Sequence, residues 1–458
     1  MKKFGRYAAL LLSIAMLFGG CGGKVTEAEN PDVTVQGSAE ASETPSAADG
    51  GRRTLTIWTL SSLDMPVVVS RFEREHPDID VEFRNFTYEE HDQYCEQMKV
   101  ALMSGKAPDL FVGGPGVASV PSLVAKGYLA DFYPIMEADP LFDKGKYYTN
   151  VWDAASWQGG LYSFPRAFYY EMIGINRSLP DGAVAQFSQW DAAYFADAAA
   201  LFNAVTDKKG LDFADRFTYP QPVAEAIPDY IDYAAKTCRF TDRAFVRVME
   251  ETKAALSPEK YHSPVAGRGA NYFLSDVEES RQFAFKIGKF GVYQYLLPYE
   301  SDQFVGTVPF ADADGKLMVN LLDNLMMSAT SKSKDLAWEF LKLLVSDDVA
   351  RASNYQSISV NRKVMQSVTE KEVRDYLSNT ERVAGEFLDG THSEHVKAVW
   401  ERLSAYNEMP MNVDFSQLVS SAEYVIVMEE FELFYKGMKT AEDAAAAIQN
   451  KVTLMLQE

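Results

Sequence analysis

Residues 54–62, TLTIWTLSS, form a β-branched and aromatic run closed by hydroxyl side chains, which reads as a buried strand. The next segment places Val67, Phe72 and neighbouring apolar residues on one side of a helix. His76-Pro77 stops it, because a residue before proline is pushed out of helical geometry. IDVEFRNF, 79–86, resumes with the alternating character of a strand. A second helix carries Met98, Ala101 and Leu102 at i, i+3 and i+4, and Gly105 with Pro108 beyond ends it before the strand DLFVGG, 109–114. Strands alternating with helices predict a mostly parallel α/β sheet. Ligands of such sheets sit beyond the carboxyl ends of the strands. That rule puts Ser61, Ser62 and Asp64 after the first strand, Tyr88 and Glu89 after the second, and Gly113 to Gly116 after the third on one rim.

Further along, GGLYSFPRAFYYEMIGIN, 159–176, sets a Gly pair, a Pro and an aromatic cluster between two strand-like runs, the composition of a crossing between two lobes. Asp314-Gly315 reads as a hairpin turn. DADG, 312–315, also looks like a fragment of a calcium loop, but the later liganding positions are absent. SKSKDLAWEFLKLL, 331–344, has Ala337, Phe340, Leu341 and Leu344 at helical spacing, with Ser333 as the expected N-cap. The last helix opens on Thr440 and Asp443, close to a capping box, and carries Ala444, Ile448 and Val452 on one stripe; Gly437 ends the helix before it.

The amino end obeys different rules. Lys2, Lys3 and Arg6 precede an apolar run from Ala8 to Phe18, about half the ~20 residues of a membrane-spanning helix. Charge, a short apolar run and then small residues is the layout of a secretory signal. LFGGCGG, 17–23, resembles the lipobox of bacterial lipoproteins, which implies that Cys21 is acylated and becomes the first residue of the mature chain. An ordinary cleaved signal with an incidental cysteine is the alternative. Residues 24–52 are acidic, rich in Ala, Ser, Thr and Gly, and too poor in large apolar groups to fold, so they read as a disordered linker. The remainder, 53–458, exceeds what one core usually serves, and two lobes are expected.

Carboxylates outnumber lysine and arginine 65 to 44, for a net charge of −21, and no basic stripe is present, which argues against nucleic acid as a partner. With Cys21 committed to lipid, only Cys95 and Cys238 remain, which leaves either two free thiols or one bridge.

The order of LTIWT, RFEREHPDIDVEF, SGKAPDLFVG, LVAKGYLADFYPI, the 150–179 run, SATSKSKDLAWEFLKLLVSDD and YKGMKTAEDAAAAIQNKVTLML resembles the extracellular solute-binding proteins of ABC importers, in particular their large carbohydrate-binding group. The resemblance spans nearly all of 54–458. It implies a periplasmic-binding-protein-like α/β fold of two lobes joined by a hinge. Lobe 1 is expected in 53–165 plus 322–352, lobe 2 in 166–321 plus 353–458, behind a signal peptide at 1–20 and the lipidated Cys21 with its linker at 21–52. Further crossings are implied near VNLLDNLMMSAT, 319–330, and SNYQSISVNRK, 353–363. The implied function is capture of a sugar, an oligosaccharide or another small polar solute by a monomer at the outer membrane face, for delivery to permease subunits, without cofactors.

A sugar site needs aromatic rings for C–H faces and paired donors and acceptors for hydroxyls. Hinge placement favours Arg166, Phe168 and Tyr169, and Tyr295 and Tyr299 follow a strand-like run in the second lobe. The resemblance implies Asp323 and Asn324 near the second crossing, and Tyr424 where maltodextrin binders hold a stacking aromatic. The loop GGPGV, 113–117, lacks the charged side chains those binders use there, so its contacts would be backbone ones or none. Residues 206–280 match the family poorly and are expected to shape specificity. Packing is the alternative role for each aromatic. No G-x-S-x-G elbow, Walker A loop, dinucleotide fingerprint or H-E-x-x-H occurs, so a non-enzymatic protein is expected. A carboxylate-only glycan hydrolase and a peptide binder are the alternatives. His392 and His395, at i, i+3, are read as a solvated helix face rather than a zinc site.

Overall fold

A computed structural model describes residues 52–62, 64–113, 117–205, 212–214, 221–255, 283–289, 304–309, 311, 315–322, 324–352, 358–384, 413–416 and 422–457. Its strands are β1 (Arg53–Leu60), β2 (Ile79–Phe86), β3 (Leu110–Val112), β4 (Ala167–Asn176), β5 (Asp212–Ala214), β6 (Ile231–Asp232) and β7 (Thr237–Cys238). Then come β8 (Phe283–Lys289), β9 (Phe304–Pro309), β10 (Leu317–Leu322), β11 (Leu325–Met327), β12 (Ile358–Ser359) and β13 (Val413–Ser416). Cys21, its signal and the linker lie outside the described residues, as do His392 and His395.

β1 buries Leu55, Ile57 and Thr59 and pairs in parallel with β2 on one side and β3 on the other. Parallel neighbours require crossovers, supplied by the helices Met65–Glu75 and His91–Met103. β11 adds antiparallel to β3 and completes a four-stranded sheet in the order β11-β3-β1-β2. One face packs Leu55, Ile57 and Phe72 against Phe340 and Leu341 of the helix Lys334–Leu344. The other face packs Phe86, Tyr94, Met98 and Phe111.

The second sheet is built around β4. β9 and β10 run antiparallel to successive stretches of it, Phe304 opposite Asn176 and Leu322 opposite Ala167, while β8 pairs with Glu171 to Ile175. Ile173, Ile175, Phe187, Phe202, Phe431 and Ile448 form one core with the helices Ala422–Tyr435 and Ala441–Gln457, while Phe168, Tyr170 and Met172 of β4 and Leu317 and Val319 of β10 share the core of the first sheet. The chain changes sheets abruptly. Phe164 bridges Leu325 of the first sheet three residues before β4 opens the second, and β10 ends at Leu322 before β11 begins at Leu325. After β12, Val360 donates its N–H to the Arg166 carbonyl at 3.1 Å and accepts from the Tyr148 N–H at 2.9 Å, so a third passage lies beside the first.

Helix ends follow the expected chemistry with one exception. Gly105 and Gly437 take φ of 68° and 73°, and Lys106 and Met438 donate back to the Ala101 and Leu433 carbonyls at 2.9 Å, which is the Schellman closure. Thr440 Oγ1 accepts from the Asp443 N–H at 3.0 Å, as a cap should. Ser333 holds the N-cap position, but its hydroxyl donates to the Thr54 carbonyl at 3.0 Å and caps nothing, because β1 lies within reach. Val67 is also corrected. The buried stripe is Met65, Val68, Val69 and Phe72, and Val67 is 72% exposed, since three consecutive valines cannot all share one face. Gly315 has the left-handed φ, 79°, of the expected turn; Asp314 lies outside the described residues. Cys95 and Cys238 are both free thiols. No helix of the described residues is long and apolar enough to cross a membrane.

Candidate functional site

The carboxyl end of β1 turns on a network centred on Asn85. Its Oδ1 accepts from Thr59 Oγ1 at 2.9 Å and the Ser62 N–H at 3.0 Å, and its Nδ2 donates to the Ser62 carbonyl at 2.8 Å. These bonds hold Ser61 in the left-handed region, φ 52°, with its N–H on the Phe86 carbonyl at 2.6 Å. Ser62 Oγ then donates to Asp64 Oδ1 at 3.2 Å. Arg166, at the head of β4, meets Asp64 with both terminal nitrogens, Nη1 to Oδ2 at 2.6 Å and Nη2 to Oδ1 at 2.8 Å. Four expected residues, Ser61, Ser62, Asp64 and Arg166, are thus gathered at one crossing. The bidentate pair is well buried, with the side chains 8% and 19% exposed.

Other expected positions are dispersed. Tyr88 and Glu89 are exposed on the link after β2. Gly113 donates its N–H to the Asn324 carbonyl at 3.3 Å, and the Met326 methyl fills the space a Cβ would take there. Asn324 Oδ1 is buried without a hydrogen bond among the described residues. Phe168 is corrected: it is wholly buried, edge-on to Tyr170 at 5.7 Å, and presents no surface to a solute because strand alternation turns it into the core. Tyr169 beside it is half-buried. Tyr424 is 5% exposed and packs in the second core. Asp323, Tyr295, Tyr299 and Gly114 to Gly116 lie outside the described residues.

A second constellation went unnoticed in the sequence. Ser119, the N-cap of the helix Val120–Ala125, accepts from the Ser122 N–H at 3.3 Å and donates its hydroxyl to Glu423 Oε1. Glu423 sits in the first turn of Ala422–Tyr435 and is fully buried, with the Tyr233 hydroxyl as a second hydrogen-bonding neighbour. The helix N-terminus favours a negative charge there. Tyr233, between β6 and β7, is 4% exposed and close enough to feel both groups. Burial, and then the charge of Glu423, hold its phenol proton well above the usual range.

Tyr233 also opens onto a cavity of about 500 Å³. Trp157, Asp229, Tyr230, Asp232 and Arg239 complete much of its wall. Trp157 stands edge-on to Tyr233 at 5.7 Å. It is aimed by a two-residue hairpin in which Gln158 and Gly159 both have positive φ, 51° and 82°, and Trp157 and Gly160 exchange backbone hydrogen bonds of 2.8 and 3.0 Å. Arg239 is already engaged: it donates to Asp242 at 3.2 Å and to the Asp229 carbonyl at 2.7 Å, 5.0 Å above the Tyr230 ring. The legible signals were the WQGG turn and the density of Tyr and Asp in 229–233, inside the 206–280 stretch expected to shape specificity. Glu423 had none, because its partner lies 304 positions away. No group of three metal-ligating side chains is arranged for an ion among the described residues.

Residues 60–237 match the family of bacterial extracellular solute-binding proteins. No curated protein sequence matches the chain. Among solved structures, the sugar-binding protein MalE from Xanthomonas citri is similar with a TM-score of 0.57 at 15% identity, covering 88% of this chain and 97% of that one. A cyclic α-maltosyl-1,6-maltose binding protein from Arthrobacter globiformis gives 0.52 at 14%, covering 89% and 100%. An ABC substrate-binding protein from Listeria monocytogenes, solved with cycloalternan, gives 0.51 at 16%, covering 89% and 99%. The family segment and the two-lobed α/β fold are those expected from the sequence.

Proposed function

We propose that this chain, an extracellular solute-binding protein by its family segment and its fold, captures a sugar or oligosaccharide between its lobes and presents it to the permease of an ABC importer. The observation that carries this reading is the cavity walled by Trp157, Tyr230 and Tyr233 and edged by Asp232 and Arg239. Rings for C–H faces stand beside acceptors and a donor for hydroxyls, the pairing that a polyhydroxylated solute requires. The names of the similar proteins from Xanthomonas and Arthrobacter support the same class. Lobe 1 in 53–165 and 322–352, and lobe 2 in 166–321 and 353–458, close about the passages near Phe164, Leu322 and Val360, so that capture is a hinge motion. A lipid on Cys21 holds the protein at the outer membrane face through the 24–52 linker. The protein binds and releases without turnover.

The test is thermal stability of the purified protein against mono- and oligosaccharides, with peptides and polyamines as controls. A saccharide at ~100 times its Kd adds about 2.7 kcal/mol, and the mixture contains only intact sugar after incubation. A shift confined to the controls, or hydrolysis of the glycan, overturns the assignment. Replacing Cys21 by Ser releases the protein from membranes; retention would refute the anchor.

A further inference from the structure

Resting on the sugar reading, we infer that the hairpin from Trp157 to Gly160 is the element that grips the solute: Trp157 stacks on the C–H face of one sugar ring, and the Gln158 amide pairs with hydroxyls of the same sugar. The rings of the cavity wall are not equally available. Tyr233 is 4% exposed, which leaves no face to a solute. Tyr230 carries the Arg239 guanidinium over its ring at 5.0 Å and packs on Phe240 and Phe245 at 6.0 and 5.0 Å. Trp157 is half-buried, and Tyr233, edge-on to it, is its one ring partner among the described residues. Its indole N–H has no hydrogen-bond partner among them. A flat apolar face with a donor at its edge matches a pyranose, whose C–H groups and hydroxyls lie on different sides of the ring.

The tip of the hairpin points the same way on separate grounds. Gln158 lines the cavity, is exposed, and holds a φ of 51°. A residue other than glycine is costly in the left-handed region, and a two-residue hairpin favours Asn or Gly at that position. Glutamine is no asset to the turn. What it brings is an amide on a longer stem, with donors and an acceptor. That amide has no partner among the described residues, so it can donate to one sugar hydroxyl and accept from its neighbour. The base of the hairpin is fixed beforehand. Leu161, wholly buried in the core of the first sheet, donates its N–H to Asp131 Oδ1 at 2.9 Å and accepts from the Phe132 N–H at 2.8 Å. The ring and the amide are therefore presented without help from the solute, which lowers the cost of binding. Asp229 and Asp232 line the same cavity as acceptors for further hydroxyls.

Calorimetric titration of the full-length protein with neutral gluco-, galacto- and manno-oligosaccharides finds the series that binds, and hairpin variants are then titrated with it. Trp157→Leu weakens binding by more than about tenfold. Trp157→Phe keeps a ring, recovers part of that loss, and abolishes the change in tryptophan emission that saturation causes in the natural protein. Gln158→Gly and Gln158→Asn separate binding from folding, because the tip is exposed and belongs to no core. Both residues suit the left-handed turn, so the empty variants melt at the same temperature as the natural protein or above it. Their affinity nevertheless falls by about threefold or more, as expected for a lost or withdrawn hydrogen bond. A smaller loss in Trp157→Leu or in Gln158→Gly overturns the inference while leaving sugar capture intact. So does a loss of affinity in the Gln158 variants that comes with lower melting temperature, since the tip would then be structural. Binding of none of the three series overturns the sugar reading itself, and the inference with it.

Discussion

Two polar ties join the neighbourhood of the first sheet to that of the second, and they differ in geometry. Between Asp64 and Arg166 both carboxylate oxygens meet both terminal guanidinium nitrogens. Between Ser119 and Glu423 a single hydroxyl donates to one oxygen of a fully buried carboxylate, with Tyr233 as its other neighbour. The first tie joins two opposite charges by two bonds and holds the crossing between β1 and β4. The second joins a neutral donor to a carboxylate by one. Two contacts that look alike among the polar residues thus differ in the number of bonds and in the charge of the donor.

The largest effect should come from breaking the closed tie. Arg166→Ala leaves Asp64 in a poorly solvated place without its partner and should cost about 3 to 5 kcal/mol in urea unfolding at unchanged m. Replacing both partners by apolar residues of similar size, Asp64→Leu with Arg166→Met, should recover most of that loss, because the cost is the orphaned charge rather than the missing attraction. A loss below about 1 kcal/mol for Arg166→Ala would show that the pair is screened like a surface ion pair, and the contrast with Glu423 would collapse.

The single-bonded tie should respond less. Ser119→Ala removes the donor to Oε1 and the cap of Val120–Ala125 together, for about 1 to 3 kcal/mol in the empty protein. A cycle with Glu423→Gln isolates the pair, with a coupling of about 1 kcal/mol expected. A coupling near zero would show that the hydroxyl and the carboxylate act independently.

What the sequence revealed follows the same division between local and remote causes. The β-α-β unit, the glycine-terminated helices at Gly105 and Gly437 and the Thr440 cap depend on neighbours within a few positions, and they are where pattern and chemistry put them. Val67 failed because a run of valines carries no phase, and Ser333 because a strand from the far end of the chain competes for its hydroxyl. Asp64 and Arg166 were legible as residues at a crossing, but not as each other's partners. Phe168 belongs to the aromatic cluster at the passage between the two sheets, and strand alternation spends it on the core. Ser119 and Glu423 were invisible, because nothing in either segment anticipates a partner 304 residues distant.

The smallest expected effect calibrates the comparison with a carboxylate held by three donors. Asp139 ends the helix Phe132–Ala138 and accepts from Lys342 Nζ at 2.7 Å, Trp338 Nε1 at 3.0 Å and the Leu141 N–H at 3.0 Å. Lys342 first, and then Trp338, hold its pKa down to about 2. The group is depressed below its unfolded value, so the stability it contributes is fully present above roughly pH 4 and is lost as the pH falls through about 2. Asp139→Asn removes that linkage. The stability gap between the natural protein and the variant should therefore be constant from neutrality down to about pH 5 and should shrink steadily below about pH 4, as read from urea midpoints at a series of pH values. A gap that ignores pH would mean that three donors do not hold this carboxylate in its charged form. The number of donors would then be no guide to which carboxylates hold the fold together.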